Sequence, residues 1–261
     1  MVSKAGGASS KERRGKGGQK AAATARTKNS KLTFYALLAL IAAGGAGWIV
    51  YQASRPKSLG VVTVDPNIPL PESAGYLLGD SAAPVKVLEF ADFECPACGQ
   101  FATITEPDVR KRLIETGIVS LRFLDFPLPV HQNTWDASMA AACAAEQGKF
   151  WEMHDSIFQN QDQWSTRATD RPRTVLERLA RSLALDMTRW NQCYDEQRYR
   201  LQIAAHVREG ERRNVRVTPT FIIGSRMIPG ALSYDAFKAY VDSALADLQA
   251  ESKGKAGSEP R

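Results

Sequence analysis

The chain is short of the residues that most often do chemistry. It has three histidines, His131, His154 and His206, scattered through 261 residues, and none has a carboxylate or nucleophile at catalytic spacing, so they read as packing or solvent residues. There is no phosphate-binding glycine loop and no internal repeat, which gives no ground for a nucleotide hydrolase or a repeat array. Cysteine is scarce too, at four. Only Cys95 and Cys98 are close together, while Cys143 and Cys193 stand alone 50 residues apart, so the second close pair that a zinc site needs is missing. Position 99 is glycine, where covalent haem attachment would need histidine.

Net positive charge is confined to one end. Residues 1–31 hold nine lysines and arginines against Glu12, a local +8 in a chain of net +6, which leaves −2 for the remainder. The basicity therefore belongs to a Gly/Ala/Ser/Lys-rich tail, which reads as solvated and disordered, and no nucleic-acid partner is expected.

One long apolar run is present. Leu32–Gln52 carries no charge over 21 residues, enough for a bilayer-spanning helix, with Tyr35, Trp48 and Tyr51 at interfacial depths. The basic tail then stays cytoplasmic, and the rest of a single-pass cell-membrane protein faces the periplasmic or extracytoplasmic side. The rival is a cleaved signal peptide, with Ala42–Gly47 as the processing region; the long basic segment and long apolar stretch argue against it. Either way the domain is exported to a compartment where disulfides persist.

Residues 53–77, with Pro56, Pro66, Pro69 and Pro71, read as a linker, and the domain is expected over 78–248. Val85–Phe90 and Ile118–Leu124 are short apolar runs suited to buried strands, and the helical pattern between them predicts a parallel crossover. That helix, Cys98–Gly117, should kink or restart at Pro107. Residues 134–214 are helical in pattern and predict an inserted helical subdomain. Strand character returns at Thr220–Ile223 and Met227–Ile228 as a hairpin, a helix follows over Ser233–Leu248, and residues 249–261 read as a polar tail. The fold class is α/β.

VLEFADFECPACGQF, residues 87–101, sets Cys95 and Cys98 at a strand-to-helix junction. A structural bridge between them would close a tiny loop and gain little. A thiol at a helix N-terminus, by contrast, meets unpaired backbone N–H groups that favour the thiolate. Cys95 is the expected exposed nucleophile and Cys98, one turn on, the resolving thiol. Pro96 suits the first helical position. Of the three possible pairings of four cysteines, only 95–98 with 143–193 keeps the reactive pair together, which predicts a structural Cys143–Cys193 disulfide; two buried free thiols are the alternative. Glu89, mid-strand and six residues before Cys95, is expected to be buried with a raised pKa and to exchange a proton with Cys98. The alternative is an acid that reaches solvent, as Asp92 and Glu94 are expected to do.

The run LGDSAAPVKVLEFADFECPACGQF, together with VTPTFIIG at 217–224 and the helical insertion between them, resembles the DsbA-like thiol:disulfide oxidoreductases of the thioredoxin superfamily, in particular membrane-anchored members. The resemblance implies a thioredoxin fold split by a helical domain, a redox-active CPAC pair with no further cofactor, and a cis proline at Pro219 facing it. The Thr218 backbone would then lie beside Cys95, ready to pair with an extended client. It also supports the buried acid at Glu89. The partners it implies are exported proteins with cysteine thiols and a quinone-linked membrane oxidase of the DsbB or VKOR type. Ala97 departs from the Pro-His dipeptide of the best-known oxidases and offers no imidazole to the thiolate, so a weaker oxidant is expected. A membrane-tethered reductase or isomerase, and a client-binding holdase with an incidental CxxC, are the alternatives.

Overall fold

A computed structural model describes residues 22–54, 60–65 and 75–256. Most of the expected basic tail, all four prolines of the expected linker and residues 257–261 lie outside the described residues.

The chain divides into two units, residues 1–58 and 59–261. In the first, one helix, α1 (Ala22–Ser54), contains a 19-residue window, Lys31–Ile49, of mean hydropathy 1.8 with none of its surface covered. At 1.5 Å per residue that window is about 28 Å long, close to the hydrocarbon thickness of a bilayer.

The second unit is built on a six-stranded mixed sheet: β1 (Val62–Thr63), β2 (Tyr76–Leu78), β3 (Val85–Ala91), β4 (Val119–Asp125), β5 (Thr220–Ile223) and β6 (Arg226–Pro229), in spatial order β1-β6-β5-β3-β4-β2. β3 and β4 run parallel, as their long crossover requires, and every other pairing is antiparallel. The sheet therefore begins before residue 78. β1 pairs with β6 and β2 with β4, inside the segment expected to be linker. Strands of two and three residues are too short to carry an alternation pattern, so composition alone could not reveal them.

The crossover starts as α2 (Pro96–Gln100) and continues through wider π turns at Phe101–Thr105 and Arg110–Ile114 on either side of α3 (Glu106–Val109). Pro107 has no N–H to donate to the carbonyl of Thr103, and the helix widens around it rather than ending. The expected insertion comprises α4 (Thr134–Ala145), α5 (Phe150–Gln159), α6 (Gln161–Trp164), α7 (Pro172–Ser182), α8 (Met187–Asp195) and α9 (Arg200–Arg212). Five alanines of α4 are buried, and such small side chains let neighbouring helices approach closely. Cys143 on α4 and Cys193 on α8 form a disulfide. The last helix, α10 (Tyr234–Ala256), runs on through the first eight of the thirteen residues of the expected polar tail.

Apolar side chains pack on both faces of the sheet. Val85 and Val87 meet Phe101, Phe221 and Phe237 on one side; Leu88 and Phe90 meet Phe126 and Val215 on the other. α9 closes on this second face at Gly210, where a Cβ would come within 2.5 Å of the Phe126 ring and 3.1 Å of Phe90. Arg213, just after α9, is buried and bonds Glu209 at 2.5 Å.

Candidate active site

β3 ends at Ala91 and the chain turns through Asp92, Phe93 and Glu94 into α2. Cys95 is the N-cap, extended at φ −70° and ψ 122°, and Pro96 is the first helical residue. The turn is held by the Asp92 carboxylate, which accepts from the N–H of Glu94 and of Leu128, both at 2.8 Å, and lies 2.7 Å from Nδ1 of His131. The Glu94 carboxylate accepts from the N–H of Asn133 and of Thr166. Asp92 and Glu94 are thus buried, not solvent-facing as expected. Each accepts from backbone N–H groups of other loops, which is what makes a buried carboxylate tolerable. Their signal in the sequence is a turn-forming Asp just after a strand, and it does not reveal the distant loops they tie down.

Cys98 is fully buried and Cys95 is 7% exposed, so the expected exposed nucleophile is largely covered while remaining the more accessible of the pair. Both are free thiols. Gln161 on α6 donates to the carbonyls of Phe93 at 2.6 Å and Cys95 at 3.0 Å. At Gly99 a Cβ would come within 2.8 Å of Gln161 Oε1, so a larger residue there would push this amide aside. Thr218 closes the other side: Cys95 Sγ donates to its carbonyl at 3.3 Å, and the Thr218–Pro219 peptide bond is cis.

The two thiols are driven apart electrostatically. Donation from Cys98, helped by the Thr218 side chain and the N–H groups of Ala97 and Cys98, outweighs burial and lowers the Cys95 pKa to about 6. Burial, and then its own donation to Cys95, push Cys98 well above the usual thiol range. The Thr218 hydroxyl oxygen is buried and has no hydrogen-bond partner while Cys95 donates to the carbonyl, so it is available to the thiolate.

Glu89 is 2% exposed and lies opposite Phe123 on β4 and Phe221 on β5. Burial, then the Glu106 charge, raise its pKa well above the carboxylate range against the opposing pull of Arg110. Its Oε2 has no hydrogen-bond partner. Its charge acts in turn on Cys98.

The histidines do not meet at the thiols. His131 steadies Asp92, and His206 pairs with Asp125 at 3.0 Å and accepts from the N–H of Gly75 at 3.0 Å. His154 lies with Glu106 and Asp155, each offering one ligand atom within 4.8 Å of the others. A cation there would compete with Arg110, which already bonds Glu106 at 2.8 Å and both oxygens of Asp155 at 2.9 and 2.6 Å. A groove of about 840 Å³ beside the motif is lined by Pro96, Gly99, Gln100, Thr103, His131 and Gln161, among others.

Among solved structures, the chain is similar to oxidised BdbD of Bacillus subtilis (TM-score 0.60, 23% identity, covering 71% of this chain and 98% of that one). It is also similar to α-DsbA1 of Wolbachia pipientis (TM-score 0.61, 22% identity, 70% and 96%). These likenesses establish a DsbA-type thioredoxin fold. Among curated proteins, it is 26% identical over 180 residues to disulfide bond formation protein D of Bacillus subtilis, covering 65% of this chain and 76% of that protein. It is 35% identical over 237 residues to the Na(+)/H(+) antiporter NhaA 3 of Salinispora tropica, covering 86% of this chain but only 34% of that protein, about a third of its length. The family model described as Thioredoxin matches residues 72–243, two thirds of the chain, and the chain belongs to that family.

Proposed function

We propose that the chain is a thiol:disulfide oxidoreductase that forms disulfides in exported proteins, with Cys95 and Cys98 as its redox pair and no further cofactor. The observation that carries this reading is the unequal pair: a thiol with a pKa of about 6 at a helix N-terminus beside a buried one whose pKa is raised.

In the oxidised enzyme, a client thiolate attacks Cys95 Sγ and breaks the Cys95–Cys98 bond. Cys98 leaves with the electron pair and takes a proton, for which the protonated Glu89 is the nearby acid. A second client thiolate then attacks the client sulfur of the mixed disulfide. Cys95 leaves as the thiolate its surroundings favour, and the client departs oxidised. The Thr218 backbone beside Cys95 is suited to align an extended client segment. The two electrons then pass to a quinone-linked membrane partner of the DsbB or VKOR type, with α1 holding the enzyme in the membrane and the catalytic unit on the extracytoplasmic face.

A thiolate formed at about pH 6 stabilises the reduced state at pH 7 by about 1.4 kcal/mol over an ordinary thiol, or about 30 mV for a two-electron couple. The potential, measured against glutathione buffers, is expected above that of thioredoxin, about −270 mV, and below that of the strongest oxidants, about −120 mV, because Ala97 contributes no imidazole. A value at or below about −270 mV would overturn the oxidase direction and point to a reductase.

A further inference from the structure

Glu89, whose charge acts on Cys98, has further buried polar groups near it, Glu106 and His154. Three of their atoms, Glu89 Oε2, Glu106 Oε2 and His154 Nε2, are buried without a hydrogen-bond partner. Such atoms are costly in an apolar interior, and three in one neighbourhood call for a reason beyond packing. Glu106 is the charge that acts most strongly on Glu89. His154 Nε2 faces Glu106 Oε2 at 4.0 Å. The other ring nitrogen, Nδ1, lies 2.8 Å from Asp155 Oδ1, within hydrogen-bond distance. Asp155 is 35% exposed, so the line ends at water.

The surroundings fix the direction. The His154 ring is enclosed by Phe93, Phe123, Phe150, Trp151 and Phe158, with centroids 4.9 to 6.1 Å away, so its polar contacts are limited to the two carboxylates at its two nitrogens. Arg110 bonds both of those carboxylates and holds them on either side of the imidazole. The charged and titratable groups near each member are Cys98, Glu106 and Arg110 for Glu89, Glu89, Arg110 and His154 for Glu106, and Arg110, His154 and Glu152 for Asp155.

We propose that Glu106 and His154 carry the proton exchanged by Cys98 between Glu89 and the solvent at Asp155. The proposal rests on the assignment of Glu89 as the acid that serves Cys98. When Cys98 leaves the disulfide as a thiolate, Glu89 protonates it and is reprotonated by Glu106. His154 gives its Nε2 proton to Glu106 as Nδ1 takes one from Asp155, which draws from solvent. On reoxidation Cys98 gives up its proton and each transfer runs backwards, so the ring returns to its starting form once per cycle. Arg110 is a positioning residue.

The test uses the full chain in detergent micelles. Rates of reduction by glutathione and of reoxidation by glutathione disulfide are measured in light and heavy water, alongside the equilibrium potential. His154→Gln keeps polar contacts but cannot pass a proton. It is expected to slow both directions by the same factor, roughly a hundredfold, while leaving the potential in place and enlarging the solvent isotope effect. Glu106→Gln is expected to slow both directions as well. Unchanged rates, or a slowing in one direction matched by a shift in potential, would overturn the relay. If His154→Gln does not fold, Asp155→Asn at the half-exposed end carries the same expectation and the same refutation. Glu89→Gln separates the two readings: if it alone slows the reaction, Glu89 serves Cys98 without the relay, and if it changes nothing, the assignment of Glu89 itself fails.

Discussion

Thr218 presents two groups to Cys95, a carbonyl that accepts a hydrogen bond from the thiol and a hydroxyl that has no partner until the thiolate forms. Thr218→Val keeps the shape and the carbonyl but removes the hydroxyl. It is expected to raise the Cys95 pKa, read from thiolate absorbance against pH, and to make the couple less oxidising. The sign of the pH dependence follows from the same thiolate. Its folded pKa, about 6, lies below that of an unfolded cysteine, so the reduced protein gains stability that is fully present above the unfolded value and is lost as pH falls through about 6. At pH 7 the gain is about 1.4 kcal/mol, and denaturant titrations of reduced against oxidised protein should show it shrink towards pH 5. Glu89 has the opposite sign. A carboxyl whose folded pKa is raised costs stability as pH climbs above the unfolded value, so Glu89→Gln should be increasingly stabilising towards alkaline pH. At this scale the sequence made the cysteines and the mid-strand acid legible, because CxxC spacing and an acid in an apolar run are local signals. Glu106, His154 and Arg110 were not legible as a group, since they converge only when α3 and the π turn after it meet α5.

Among the elements, strand and helix periodicity revealed the long members and missed the short ones. β3, β4 and the β5–β6 hairpin could be read from apolar runs, whereas β1 and β2 take their identity from partners far along the chain. The α4–α8 disulfide shows the same division: counting cysteines suggested the pair, and packing alone brings the two helices together. Replacing both Cys143 and Cys193 with alanine reopens a loop of 50 residues and is expected to cost about 4 kcal/mol in chemical denaturation, with the Cys95–Cys98 potential unchanged. The approach of α9 to the sheet depends on a different feature. At Gly210→Ala the new methyl would press on two aromatic rings already packed in the core, so the higher helix propensity of alanine, about 1 kcal/mol, should not offset overpacking of about 1–3 kcal/mol. A lower denaturation midpoint with an unchanged slope is the expected result, and a stabilised variant would mean that α9 can shift outward without loss.

For the whole molecule, the division at residue 58 separates two kinds of chemistry. α1 exposes Leu32, Phe34, Leu37, Leu40, Ile41 and Ile49 without a covering partner among the described residues, a surface that water disfavours and lipid tails accept. Every group that sets the properties of Cys95 and Cys98, from Asp92 through Gln161 to Thr218, belongs instead to residues 59–261. Removing residues 1–58 should therefore release the protein from membranes without moving its redox potential. The 261-residue chain is expected to stay in the membrane fraction under alkaline carbonate and to need detergent for extraction, while the truncated form should be soluble and match it against the same glutathione buffers. The 261-residue chain recovered in the carbonate supernatant would mean that α1 does not anchor it. A shifted potential in the truncated form would mean that the first unit acts on the thiols, which none of the contacts around Cys95 and Cys98 requires.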